Sequence, residues 1–298
     1  MQNGFYTLHD KGPKRVSPLF VPTMIGNIAA GHLAIRYGMR GECIDVTTAC
    51  ATGAHNIGAA VRSIRHGYAD MALAGGSEES VSPICIAGFA NLGALAKVDD
   101  PAQASLPFDE RRCGFVAGEG AGAVVLESLE HALARGAKPL AEVTGFGSTG
   151  DAYHMTAPEP SGEGIQRAML QALSEGGFTP ADLGHVNAHG TATPANDSTE
   201  SHALLALCGE EEGRKVPVVS VKGTTGHTLG AAGAVEAIVT ALSVANECVP
   251  PTTGFAQPDP DCPVNVLTEA KTGYPQKVAL SNSLGFGGHN AVLAISPC

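Results

Sequence analysis

The chain carries eight cysteines, at 43, 50, 85, 113, 208, 248, 262 and 298, and one of them has the setting of a nucleophile. Cys50 lies between a strand expected to end near Thr48 and a helix expected to start near Gly53. A thiol at a helix N-terminus meets free N–H groups and the positive end of the helix dipole. Both favour the thiolate, so the pKa is expected to fall below the ordinary value of ~8.5. Small neighbours, Ala49, Ala51 and Gly53, leave room for a substrate. A buried structural cysteine is the alternative for any one of the eight; the strand-to-helix position separates Cys50 from the other seven.

Two histidines have matching settings. His189 sits in Asn187-Ala188-His189-Gly190-Thr191-Ala192-Thr193, just past a short apolar strand, and His227 follows Lys222-Gly223-Thr224-Thr225-Gly226, again past a strand. The ends of parallel strands are where α/β proteins gather their sites. Taken singly each reads as a hydrogen-bonded turn histidine; together, one with a lysine five residues before it, they suggest a site. The segment Ser281 to Asn290 is a Gly-rich loop between two strands. Such a loop can aim N–H groups at a developing oxyanion, or it can be a plain hairpin turn.

The elements that must position these residues follow from residue pattern. Strands are expected over 42–47, 70–74, 120–127, 140–147, 185–188, 216–221, 277–282 and 290–295. Helices are expected over 53–65, 164–174, 198–207 and 230–244. This alternation predicts an α/β protein with largely buried strands. Residues 51–61 and 224–235 are both Gly-punctuated turns that open an Ala-rich helix. Either they share a helix-packing composition, or the chain has two related halves, 1–138 and 139–298, meeting near Gly136 to Pro139.

Composition bounds the remainder. With 298 residues, 44% hydrophobic and 16% charged, the chain can bury a large core. Its 38 glycines imply many tight turns or close backbone approaches. A net charge of -11 argues against a general nucleic-acid binder. No apolar run approaches the ~20 residues of a membrane span, and Met1 to Asp10 lacks the apolar stretch of a signal peptide. The cysteines form no CxxC pair, so neither a zinc site nor a disulfide framework is expected, and a reducing compartment, the cytoplasm, fits. Gly145-Phe146-Gly147-Ser148-Thr149-Gly150 matches GxGxxG, but Pro158 and Pro160 follow where a dinucleotide site needs a helix.

Together, Thr48-Ala49-Cys50-Ala51-Thr52-Gly53, Asn187 to Thr193, Lys222 to Gly233 and Asn282 to Asn290 resemble the condensing enzymes of the thiolase superfamily, and the likeness covers nearly the whole chain. The segments Ala74 to Glu78, Pro107-Phe108-Asp109, Arg112, Gly114-Phe115 and Asp151 to Thr156 support it. A Cys-His-His set is similar to the elongating β-ketoacyl-acyl carrier protein synthases; the chain-initiating type has Asn for the second His, and thiolases have a second catalytic Cys. Residues 54–58 and 151–156 resemble synthase II most. The resemblance implies a thiolase-like layered fold of two pseudo-repeated halves, the first incomplete: the family's opening strands and helices are expected to be missing, leaving open strand edges and apolar faces.

The resemblance also implies roles. Cys50 would take an acyl chain from acyl carrier protein and condense it with malonyl-acyl carrier protein, extending fatty acids with loss of CO2. His189 and His227 would stabilise the enolate, and the N–H groups of Cys50 and Phe286 would form the oxyanion hole. Lys222 would set the local electrostatics and orient His227. Thr191, Thr193 and Thr156 would contact the pantetheine arm, Phe286 would gate the acyl pocket, and Glu236 would support the active-site loops. No metal or redox cofactor is implied, because decarboxylation supplies the carbanion. The family works as a homodimer, and Lys11, Lys14, Arg15, Arg62, Arg65 and Arg112 are candidates for docking the acidic carrier protein. Gly223, Leu284 and His289 depart from common family residues. A ketosynthase of type II polyketide assembly and an inactive chain-length-factor-like partner are the alternatives; the presence of Cys50, His189, His227 and Lys222 speaks against the second.

Overall fold

The computed structural model describes residues 2–298. They form two compact units, the first ending at Thr47 and the second running from Thr48 to Cys298. The first unit holds three helices, α1 (Gln2–Lys11), α2 (Phe20–Met24) and α3 (Ile28–Tyr37), none with a buried side chain. Phe5, Tyr6, Leu19, Val21, Ile35 and Tyr37 are all exposed. The strand expected over 42–47 is not formed. Its β-branched residues suit a strand, but a strand exists only through ladder bonds to a neighbour.

The second unit is built in four layers. Its strands are β1 (Met71–Glu78), β2 (Gly120–Glu127), β3 (Glu142–Gly150), β4 (Leu183–Asn187), β5 (Pro217–Val219), β6 (Cys248–Val249), β7 (Asn265–Val266), β8 (Lys271–Thr272), β9 (Val278–Gly285) and β10 (His289–Ser296). Its helices are α4 (Thr52–Arg65), α5 (Pro83–Leu92), α6 (Leu129–Ala134), α7 (Glu163–Glu175), α8 (Pro194–Cys208), α9 (Glu210–Gly213), α10 (Lys222–Thr225) and α11 (Ala232–Ala245). The central sheet is mixed, in the order β3-β10-β9-β4-β5-β7, antiparallel from β3 to β9 and parallel from β9 to β7. One face packs on α7 and α8; the other packs on α4 and α11, which a two-stranded antiparallel sheet, β1–β2, covers in turn. Residues 145–150 lie wholly within β3.

Side-chain alternation builds both cores. In β10, Val292 and Ala294 face the α7–α8 core, while Ala291, Leu293 and Ile295 face the α4–α11 core. In α4, Ala54, Ile57, Gly58 and Val61 recur at helical spacing and are buried. The β1–β2 sheet differs. Among the described residues each of its strands pairs only with the other, and Met71 and Val125 stay exposed. Helices α5 and α6 had no counterpart in the expected elements: α5 is apolar on every side, with no buried residue, so its pattern lacks a period to read.

The two Ala-rich segments form the same local structure. Ala49, at φ 49°, opens a 3-10 turn, Ala49–Ala51, that leads into the 14-residue helix α4. Leu229, at φ 45°, opens the turn Leu229–Ala231 that leads into the 14-residue α11. Cys50 in one therefore corresponds to Gly230 in the other. The two helices cross on glycines. A Cβ on Gly53 would stand 2.6 Å from the Ala234 nitrogen, and one on Gly233 would stand 2.6 Å from the Ala54 nitrogen. Gly53→Ala is expected to destabilise the protein by roughly 1–3 kcal/mol through overpacking. Gly88→Ala, in α5 with nothing within 4 Å, is expected to be neutral or stabilising by up to about 1 kcal/mol. Urea denaturation of both variants measures the difference.

Candidate active site

Cys50 is the middle residue of its 3-10 turn, and its side chain is almost wholly buried. The turn depends on the left-handed backbone of Ala49, a conformation that disfavours a non-glycine residue by roughly 1–2 kcal/mol. The hairpin loop Phe286–Gly288 between β9 and β10 comes up beside it. Gly285 allows that approach: a Cβ there would stand 2.5 Å from the Thr48 carbonyl oxygen. The backbone N–H groups of Phe286 and of Cys50 itself both favour the thiolate form of Cys50. The Gly-rich segment is thus a hairpin that lies against the Cys50 turn.

The expected low pKa of Cys50 is overturned. Burial pushes the thiol up to about 11, against the pull of the Lys222 charge and of the two N–H groups. Position at a helix start was visible in the sequence; depth was not, and removing a thiolate from water outweighs the local donors. The resting group is a thiol.

The two histidines meet. His189 follows β4 and His227 follows α10, and their rings stand edge to face, 5.2 Å between centroids. Phe115 stands edge-on to His227 at 5.3 Å. Burial, and then the Lys222 charge, hold both imidazoles well below their ordinary pKa; for His189 the neighbouring His227 adds to the effect. Both rings are neutral at neutral pH, with one N–H each to donate. The backbone of His227 is held by its own N–H to the Val116 oxygen at 2.7 Å and by the Gly118 N–H to its oxygen at 2.9 Å.

Lys222, at the start of α10, is 1% exposed. Its ammonium donates to Glu236 of α11 and, at 2.6 Å, to the His189 carbonyl oxygen. It also faces the His189 Nδ1 at 3.4 Å. That nitrogen is then the acceptor, which leaves the His189 proton on Nε2. The expectation that Lys222 orients His227 is corrected: its hydrogen bonds go to His189, because β5 lies next to β4 and delivers Lys222 behind the His189 loop. Only its charge acts on His227. Burial pushes the Glu236 carboxyl up to about 7, against the pull of Lys222. Gly223 also gains a reason: a Cβ there would stand 2.2 Å from the Thr253 oxygen.

Residue types alone did not single out Glu200 or Asp197. Glu200 of α8 accepts from the N–H of His189 at 2.8 Å, the N–H of Gly190 at 3.0 Å and the Asn282 amide at 3.0 Å. Asp197, one turn earlier, accepts from the N–H groups of Phe108 at 2.8 Å and Ala192 at 3.2 Å. Burial raises the pKa of both. The available signal was two carboxylates three apart on a helix face whose later positions, Ala203 and Leu204, are core.

The three threonines lie on two loops. Thr191 and Thr193, on the His189 loop, have hydroxyls 2.9 Å apart. Thr156 is half-buried in the 151–156 loop, which joins the hairpin through the Gly287 N–H to the Met155 oxygen at 2.8 Å and the Asp151 N–H to the Gly288 oxygen at 2.9 Å. Of the basic docking candidates, Arg112 is corrected: it is buried and paired with Asp259. Lys11, Lys14 and Arg15 are exposed. Among the described residues no group of three His, Cys, Asp or Glu could hold a metal ion, and no helix is long and apolar enough to cross a membrane.

Comparison with known proteins gives the family. The family model for the N-terminal domain of β-ketoacyl synthase matches residues 1–132, and that for its C-terminal domain matches residues 140–256. The chain belongs to the β-ketoacyl synthase family. The 3-oxoacyl-[acyl-carrier-protein] synthase 2 of Synechocystis sp. is 47% identical over 96% of this chain and 69% of that protein. The synthase 2 of Vibrio cholerae is 48% identical over 98% of this chain and 71% of its own length. Among solved structures, the ketosynthase of a type II PKS acyl-carrier protein complex superposes with a TM-score of 0.95 at 35% identity, covering 100% of this chain and 75% of that one. A β-ketoacyl synthase from Burkholderia phymatum gives 0.92 at 36%, covering 100% and 72%. The fold is therefore that of the thiolase-like ketosynthases, and the chain is an acyltransferase-type synthase.

Two outcomes follow from the site's electrostatics. Because the Cys50 pKa is raised, its alkylation by iodoacetamide, followed by peptide mass, is expected to climb about tenfold per pH unit from pH 7 to 10 with no plateau near 8.5. Lys222→Ala is expected to destabilise the protein by roughly 1–3 kcal/mol in urea denaturation, because Glu236 and the His189 carbonyl oxygen lose their buried donor. It should also slow Cys50 alkylation at a given pH, since the charge favouring thiolate is gone.

Proposed function

We propose that this β-ketoacyl synthase extends acyl chains on acyl carrier protein by decarboxylative Claisen condensation in fatty acid synthesis. The observation that carries this reading is a buried thiol whose charged form two backbone N–H groups and the Lys222 charge favour, beside two neutral histidines whose rings stand edge to face. In the first half-reaction the Cys50 sulfur attacks the acyl thioester carbonyl. The carrier's thiolate leaves and takes up the proton that Cys50 gives away. Malonyl-acyl carrier protein then loses CO2 from its carboxylate, and the electron pair of the broken C–C bond becomes an enolate. Neutral N–H donors are suited to that enolate oxygen, because they stabilise developing charge without surrendering the proton. His189 and His227 have that role.

The enolate carbon attacks the thioester on Cys50. The negative charge gathers on the former carbonyl oxygen, for which the N–H groups of Cys50 and Phe286 are the donors, and the C–S bond breaks. β-Ketoacyl-acyl carrier protein leaves, and Cys50 takes a proton. Lys222 positions His189 and sets the field at both rings, with the buried Glu236 carboxyl as its hydrogen-bond partner. Thr191, Thr193 and Thr156 hold the pantetheine arm, and Phe286 gates the acyl pocket. The two halves, 1–138 and 139–298, then divide the labour, the first bringing the nucleophile and the second the histidines and lysine. The enzyme acts as a homodimer in the cytoplasm, with acyl and malonyl carrier proteins as its partners.

A type II polyketide ketosynthase is the second reading, favoured by the superposition at a TM-score of 0.95. Incubation with acyl-acyl carrier protein is expected to add one acyl group to the intact mass of the parent and none to Cys50→Ala. His189→Ala and His227→Ala are each expected to slow release of CO2 from malonyl-acyl carrier protein by ~10²–10³-fold. No acyl gain in a folded parent would reject the enzymatic reading and leave a partner-subunit role. A single two-carbon extension supports fatty acid elongation; repeated extension without reduction supports the polyketide reading.

A further inference from the structure

Beyond these residues, one buried histidine touches the nucleophile turn on both sides. His55 lies in the first turn of α4 and is 9% exposed. Its Nδ1 is 2.9 Å from the Thr48 hydroxyl, two residues before Cys50, and 3.2 Å from the carbonyl oxygen of Ala51, the residue after it. Its Nε2 is 3.0 Å from the Ser148 hydroxyl on β3. The ring stands edge-on to Phe146, 5.8 Å between centroids, which the Arg62 guanidinium covers from 4.6 Å. The turn is closed a second time by the Thr48 N–H donating to the Thr52 hydroxyl at 2.9 Å.

We propose that His55 is a positioning residue for the nucleophile: it clamps Thr48 and Ala51 together and ties the Cys50 turn to β3. The reason lies in the turn. Ala49, between Thr48 and Cys50, holds a left-handed backbone that a non-glycine residue adopts only where its surroundings impose it. One imidazole nitrogen shared by the flanking residues supplies that imposition at the point where the sulfur must be aimed. The second nitrogen anchors the clamp to the sheet that also carries the 151–156 loop. His55 faces away from the histidine pair: its partners are Thr48, Ala51, Ser148 and Phe146, none of which touches His189 or His227 among the contacts described above. It therefore acts on acyl transfer to Cys50 and not on decarboxylation, a division that rests on the function proposed above.

The test compares His55→Asn, His55→Gln and His55→Ala in the full chain. An asparagine amide reaches the place of Nδ1, and a glutamine amide reaches that of Nε2. Three rates are read: acylation of Cys50 by acyl-acyl carrier protein, CO2 release from malonyl-acyl carrier protein, and alkylation of Cys50 by iodoacetamide at peptide resolution. His55→Ala is expected to acylate at least tenfold more slowly and to release CO2 within twofold of the parent. His55→Asn should recover most of the acylation rate and His55→Gln should not. Equal loss of acylation and decarboxylation, an acylation rate equal to the parent in His55→Ala, or rescue by Gln as good as that by Asn overturns the proposal. If His55→Ala does not fold, the Asn and Gln variants, compared at matched melting temperature, decide alone. If the parent accepts no acyl group, the proposed function fails, and the alkylation series still decides what His55 does.

Discussion

The structure depends on the crossing of α4 and α11 at Gly53 and Gly233. Neither helix could approach the other so closely with a side chain at those positions, since each Cβ would meet a backbone nitrogen at 2.6 Å. The crossing sets one segment with a strained 3-10 turn against another of the same form, and it is sandwiched between the central sheet and the β1–β2 pair. From that packing the rest follows. The Cys50 turn is presented beside the β9–β10 hairpin, and α11 brings Glu236 to Lys222. The two segments have diverged at the equivalent position. One holds the thiol. The other holds Gly230, whose N–H is satisfied by Glu78 at 3.2 Å.

Burial then dictates the chemistry that is available. It raises the thiol, lowers both imidazoles and raises Glu200, Asp197 and Glu236, so each of these groups is biased towards its neutral form. Lys222 is sealed among them at 1% exposure, its side-chain nitrogen donating to a carboxyl and to a carbonyl oxygen. One fixed positive charge in a site of neutral donors is suited to a reaction in which negative charge appears, moves from one carbon framework to another and disappears. Carboxylates that accept backbone N–H groups, Glu200 behind His189 and Asp197 behind Ala192, fix the loop without placing a free charge at the reacting centre.

Much of this was legible in the residues. Cys50, His189, His227, Lys222 and Phe286 stood at strand-to-helix junctions or in Gly-rich loops, and local periodicity placed nearly every long strand and helix of the second unit. Where the reading went wrong, the missing quantity was a distance in three dimensions. The segment 42–47 has strand-forming residues and is not a strand, since local pattern does not decide pairing. The thiol of Cys50 has the helix N-terminus that would lower its pKa, yet its burial, set by β9, β10 and α11 more than 170 residues downstream, raises it. Arg112 looked like surface charge and is a buried partner of Asp259, 147 residues away.

The sequence by itself determined the residue types that can do the chemistry, the turns that present them and the glycines that permit the close approaches, because each depends on a few neighbouring residues. Only the tertiary structure decided which charges are sealed from water, that Lys222 serves His189 rather than His227, and that His55 and Glu200 lie behind the reacting groups. Solvation and hydrogen-bond partnership arise between segments far apart in the chain, and no local pattern carries them.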